Sequence, residues 1–379
     1  FDSETESRSF SLIQNETFNP DPAATQGGGT LPPTTAFIGG LQSANAPGRA
    51  KAVSYTVQSM SGDVVVPADK ALFRNRVNLS GLTLEAAPGR ELRIEAPLFL
   101  DSLAANPTTP SADVVFNTDP STLATVETRI GQQYTSPIQL VQDTTLEAAE
   151  NITFNETIES QSGGGASLGV LAGGTISFAK NVGSASKRLS GFELGFAPGS
   201  SQTTRAVFGT GAEPFALRTT GDIRLFPVSR PTVPEAATLY KPNAGSAGTE
   251  PDLLFDSSEG SFVMGQGEKL AVPGILEIEA AESASVGDLS ALEIHVDAPQ
   301  ITLVRRAPGS VLLADGRTVQ DAGVDFVANR FNFCEQNPGC SITLGGSGNT
   351  PTFGLPNPFL PPLFVERLGL PTAAINLQG

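Results

Sequence analysis

The chain has 379 residues, with 39 Asp and Glu against 23 Lys and Arg, for a formal net charge of −16. The basic residues are scattered, which excludes the cationic footprint that nucleic-acid binding requires. With 40 Gly, 29 Pro, no Trp and 39% hydrophobic residues, the composition suits many short strands joined by turns better than a compact α/β enzyme. No run of about 20 apolar residues is present to span a membrane as a helix.

Residues 1–55 are polar and broken by "NPDPAATQGGGTLPP". They read as a cap or linker with short strands such as "SRSFSLI". From 56 to 330 strand-like runs follow one another. "GDVVVP" starts at Gly62. "LTLEAAPGRELRIEAPLFL" runs from Leu82 to Leu100, and in it Leu92 and Ile94 alternate with Arg93 and Glu95, the period-two mark of a half-buried strand. "NITFNETIES" starts at Asn151, "GGTISFAKNVG" at Gly173, "GDIRLFP" at Gly221, "ILEIEA" at Ile275 and "ALEIHVDAPQITLV" at Ala291. Each run is short and bounded by Gly, Pro, Asn or Asp, and no window carries a helical stripe, so the class is all-β. Pro-, Gly- and Ser-rich stretches near 104–122, 197–215 and 227–252 read as loop insertions.

Three phrases echo one another: "LSGLTLEAAPG" from Leu79, "LSGFELGFAPG" from Leu189 and "LSALEIHVDAP" from Leu289. Aligned, they place Leu82 and Leu84, Phe192 and Leu194, and Leu292 and Ile294 at equivalent positions, expected to be interior. Proline cannot donate to a ladder, so each phrase ends at a corner. A parallel β-helix and a string of β-sandwiches of about 100 residues each both repeat on this scale. The loops fall inside the units rather than between them, which favours the β-helix.

"TTLEAAENITFNETIES…SLGVLAGGTISFAKNVGSASKRLSGFELGF", from Thr144 to Phe196, resembles the repeats of filamentous-haemagglutinin-like bacterial exoproteins. The order is a Thr-Leu strand, a Gly-Asn-Ile-Thr-Phe-like strand, a Gly-Gly-Thr-Ile-Phe-like strand and a Leu-x-x-Leu strand, and 287–304 carries its last part. The resemblance implies a right-handed parallel β-helix, export across an outer membrane, and adhesion or matrix roles at the bacterial cell surface or outside it. A chain beginning at Phe1 is expected to be a processed product or a piece of a longer one.

Signals for chemistry are sparse. The single histidine, His295, shares the outward parity of Glu293 and Asp297, and reads as part of a solvated strand face rather than a proton shuttle or metal site. "FNTDP" from Phe116 is similar to a polygalacturonase signature, but the Asp-Asp pair and the Gly-His-Gly are missing. "EIEAAE" from Glu277 reads as a solvated face. No phosphate loop and no zinc spacing occur. The expected function is therefore structural or adhesive, without catalytic residues, metal or cofactor. A β-helical polysaccharide lyase or glycoside hydrolase is the alternative, and would gather several Asp, Glu, Arg or Tyr into one place.

The last segment, 331–379, holds both cysteines in "CEQNPGC". The Asn-Pro-Gly turn between Cys334 and Cys340 predicts a disulfide. A Pro-rich apolar tail follows. Phe353, Phe359, Leu363 and Phe364 are its candidate assembly residues, packing either back on the chain or head to tail on a second copy. Partners are thus self or cell-surface and matrix ligands.

Overall fold

The structure, a computed structural model, describes residues 79–118, 125–161, 165–198, 204–211, 213–227, 238–242, 250–304, 330–337 and 340–345. Shorter stretches are described at 8–14, 35–37, 53–59, 62–66, 68, 309–312, 318–321, 325–328, 352–354 and 374–376. Among these residues every regular element is a strand. Every ladder is parallel, except one hairpin that pairs Gly309–Leu312 with Thr318–Asp321. Sandwich domains are antiparallel, so the parallel ladders identify an all-β, solenoid-like fold. The chain forms two compact units, Phe1–Lys180 with Ala197–Ser200, and Asn181–Phe196 with Ser201–Gly379.

In the first unit, Thr35–Phe37, Asp63–Val66, Glu91–Ile94, Asp113–Phe116, Ile138–Leu140 and Ile158–Ser160 stack into one six-stranded sheet. Register joins Val64 to Leu92, Leu92 to Val114, Val114 to Ile138 and Ile138 to Ile158. Each turn of chain therefore takes 20 to 28 residues here. All five of these side chains are buried, so apolar residues stack on apolar residues along the interior. The facing strands, Arg8–Gln14, Val53–Ser59, Leu79–Glu85, Leu98–Ala105 and Val126–Tyr134, pair in the same parallel manner. Residues 8–14 and 35–37, inside the segment read as cap or linker, thus continue the ladders.

The interior between these sheets holds an aromatic column. Tyr134 stacks on Phe154 at 5.4 Å between ring centroids, and Phe154 stacks on Phe178 at 4.9 Å, while Phe116 meets Tyr134 edge-on from the other sheet. The buried Tyr134 hydroxyl donates to Gln132 Oε1 at 2.8 Å, and Gln132 Nε2 donates to the Glu147 carbonyl at 2.7 Å. A buried hydroxyl needs such a partner, and burial raises the Tyr134 pKa well above its usual value.

In the second unit each turn lays down three strands. Phe262–Met264, Lys269–Ala271 and Ile275–Ala280 form one turn, followed by Ala284–Val286, Asp288–Ser290 and Glu293–Asp297. One column joins Phe192, Ile223, Phe262, Ala284, Ile301 and Ile342, all buried. A five-stranded sheet stacks Phe215–Thr219, Leu253–Ser257, Ile275–Ala280, Glu293–Asp297 and Arg330–Phe333. Its register runs through Leu217, Phe255, Ile278, Val296 and Phe333, in steps of 38, 23, 18 and 37 residues.

Of the six residues expected inside, Leu82, Leu84, Phe192, Leu194 and Ile294 are buried. Leu292 is not: it is 46% exposed. The third phrase is broken at a corner. Asp288–Ser290 pairs with Lys269–Ala271, whereas Glu293–Asp297 pairs with Ile275–Ala280 in the five-stranded sheet. Between them the Leu292 and Glu293 amides both point at the Gly274 carbonyl. The inward parity changes from Leu289 and Ala291 to Ile294 and Val296, which turns Leu292 outward. The second phrase has the opposite phase, since Leu189 bridges to Thr219 of the five-stranded sheet and Phe192 and Leu194 lie in the other ladder. The likeness of these phrases is therefore not a likeness of position.

The stretches expected as loops also carry strands: Asp113–Phe116 within 104–122, Arg205–Phe208 within 197–215 and Thr238–Tyr240 within 227–252. Their apolar runs are only two or three residues long and sit among Pro, Gly, Ser and Thr. Pairing with neighbouring strands, not local composition, makes them extended.

Cys334 and Cys340 form a disulfide, and both are buried. The Cys334 amide donates to the Val296 carbonyl at 2.9 Å, tying this turn to the five-stranded sheet. Replacing both cysteines by Ala is expected to cost about 2 kcal/mol by the chain-entropy relation, read as a lower urea midpoint. An unchanged midpoint would show that the link constrains nothing. In the tail, Thr352–Gly354 pairs with Asp325–Val327, setting Phe353 opposite Phe326, and Ala374–Asn376 pairs with Ser341–Gly345. Phe359, Leu363 and Phe364 lie outside the described residues.

Candidate functional site

Asp and Asn side chains serve the strand corners in both units. The first amide of a following strand, or the corner itself, is left without a ladder partner, and a short side-chain acceptor on the adjacent turn captures it. Asp143 Oδ1 accepts from the Ser167 amide at 2.8 Å and Asn151 Oδ1 from Thr175 at 2.7 Å. Asn106, buried and at φ 50°, accepts from the Ala86 amide at 2.9 Å. In the second unit Asn181 accepts from Ala216, Asp222 from Ser261 and Asp252 from Ile275. The Ser261 amide bond is the main reason that Asp222 titrates below its usual range, with Arg224 adding to it. Lys241, almost wholly buried, donates through Nζ to the Gly211 carbonyl at 3.2 Å. Burial lowers its pKa, against the pull of Asp252 and Glu213.

A group of ionisable side chains lies on the outer face of the five-stranded sheet. The strands there alternate: Leu276, Ile278 and Ala280 are buried, and Glu277 and Glu279 point outward. Register sets Arg218 beside Asp256, Asp256 beside Glu279, and Glu279 beside Asp297. A second row sets Leu254 beside Glu277, Glu277 beside His295, and His295 beside Asn332. Arg188 closes one end, donating to Asp256 Oδ2 at 2.7 Å and to the Thr219 carbonyl at 3.2 Å. Arg218 approaches the same carboxylate at 3.8 Å.

His295 sits at the other end. Its Nε2 lies 3.5 Å from Glu293 and its Nδ1 3.6 Å from Glu335. Asn332 Nδ2 is 3.2 Å from Nδ1; when it donates there, Nε2 carries the proton that faces Glu293. Glu293 also meets Arg330 at 3.4 Å. Asp297 accepts from the Gln336 amide and from Asn337 Nδ2, which fixes the disulfide turn. The outward parity of Glu293, His295 and Asp297 was legible in the sequence. Their joining with Asp256, Glu277, Glu279, Arg188 and Arg218 was not, because alternation shows which way a residue points and not which strand lies beside it.

Among the described residues no three His, Cys, Asp or Glu side chains are grouped so as to hold a metal ion. No described helix is long and apolar enough to cross a membrane. Phe116 of the "FNTDP" stretch is buried in the interior, and Asp119 lies outside the described residues. Comparison of the chain with protein-family models, with curated proteins and with solved structures finds no match in any of them.

Proposed function

We propose that this chain is an extracellular structural or adhesive scaffold, a run of stacked strands that holds polar outer faces toward other surfaces. The observation that carries the reading is the use of Asp143, Asn151, Asn181, Asp222 and Asp252 to bind backbone amides in or just before a later strand. Side chains spent on corners are not free to act on a substrate. The right-handed coil, the outer-membrane export and the kinship with filamentous-haemagglutinin-like exoproteins belong to this proposal, on the Thr144–Phe196 resemblance. Head-to-tail assembly would rest on Phe359, Leu363 and Phe364, while Phe353 extends the chain's own ladder. Antibody raised against the chain should label intact cells of the source organism. Labelling that appears only after permeabilisation would overturn the surface role.

One observation favours the second reading, a polysaccharide-processing enzyme: Asp256, Glu277, Glu279 and Asp297 are gathered beside Arg188 and Arg218 on one sheet face. Paired carboxylates are what glycoside hydrolysis uses. A panel of neutral and acidic polysaccharides, assayed for new reducing ends and for the ultraviolet absorbance of unsaturated products, separates the two. The scaffold reading expects no turnover. Turnover that disappears in Asp256→Asn would replace it with the enzyme.

A further inference from the structure

The geometry points to a pH-responsive fastening on the outer face of the five-stranded sheet. At acid pH a proton on Glu279, which faces Glu277, lets the carboxylates of three successive strands lie side by side. As pH rises, its loss sets those strands against one another.

Neighbouring strands lie about 4.8 Å apart. Like charges directly opposite on adjacent strands destabilise a sheet, and the line of Asp256, Glu279 and Asp297 repeats that juxtaposition twice. Glu279 is the middle member. Facing it are Asp256 from Leu253–Ser257, Asp297 from Glu293–Asp297 and Glu277 from its own strand, with His295 opposite Glu277. The cations nearby are engaged elsewhere on the face: Arg188 and Arg218 on Asp256, and Arg330 on Glu293. Arg188 also feels the charge of Glu279, but its strongest bond is to Asp256.

A protonated Glu279 relieves this crowding in two ways. It removes the central charge, and it supplies a donor for the side-chain hydrogen bond to Glu277. Partial burial, then the charges of Glu277, Asp256 and Asp297, and last that hydrogen bond all raise the Glu279 pKa. Folding thus strengthens the hold on the proton. The stabilisation is fully present below the ordinary glutamate range and is lost as pH climbs through the raised folded value. The inference stands on the sheet's own register and holds under either reading of the function.

The test compares wild type with Glu279→Gln across pH 4 to 8. Glutamine keeps the shape and still donates to Glu277, but carries no charge at any pH. At pH 4 the two proteins should melt together. At pH 8 the variant should melt about 2–4 °C higher, and added salt should narrow that gap. In wild type alone, amide exchange in 253–257, 275–280 and 293–297, corrected for intrinsic rates, should speed up as pH rises. A Glu279→Gln effect of the same size at both ends of the range would overturn the proposal, since a purely steric or packing role has no pH dependence. So would a wild type that is the more stable of the two at pH 8.

Discussion

Leu194→Asp is expected to lose about 5 kcal/mol of folding stability, enough to remove most of the margin of an ordinary domain. Leu194 is fully buried, and its strand stacks it in register with Leu225, which in turn meets Met264. Losing the leucine leaves a cavity that costs about 2–5 kcal/mol, and aspartate then puts a carboxylate where no water reaches it. Leu292→Asp is the matched control. It changes the same residue types in an equivalent phrase, yet Leu292 is exposed, so its cost should fall within about 0.5 kcal/mol. Urea denaturation of the two variants reads the difference directly. Equal midpoints would mean that no corner within the third phrase turns Leu292 outward.

Phe154→Ala should be nearly as damaging, at about 3–5 kcal/mol. Phe154 is the middle ring of the Tyr134–Phe154–Phe178 stack, within 5.4 Å of one neighbour and 4.9 Å of the other. A solenoid turn is stabilised mainly by the turns on either side of it, so a void in the middle of the column removes contacts on both sides. The chain has no Trp and only three Tyr, of which the first unit holds Tyr55 and Tyr134, so the near-ultraviolet circular dichroism of that unit carries a contribution from Tyr134 packed on Phe154. That signal should weaken in the variant before the unit unfolds. Phe154→Leu, which fills most of the volume, should recover much of the stability. If both variants melt as wild type does, the aromatic column is not a stabilising element.

Period-two alternation determined the all-β class, and the alternation of Leu92 and Ile94 with Arg93 and Glu95, or of Ile294 and Val296 with His295 and Asp297, told inside from outside on those two strands. The Asn-Pro-Gly turn between the cysteines determined their pairing in the same local way. Only the tertiary structure decided which strands become neighbours. Successive steps in the five-stranded sheet range from 18 to 38 residues, because each corner and insertion takes a different length of chain. A phrase repeated every hundred residues or so therefore lands in different sheets, and Leu292 falls on a corner while Leu194 falls in the interior. For the same reason Asp256, Glu279 and Asp297, separated by 23 and 18 residues, meet on one face. Tyr134, Phe154 and Phe178 meet in one column. Alternation depends on the geometry of a single strand, whereas stacking depends on the summed length of everything between two strands, and no local pattern records that sum.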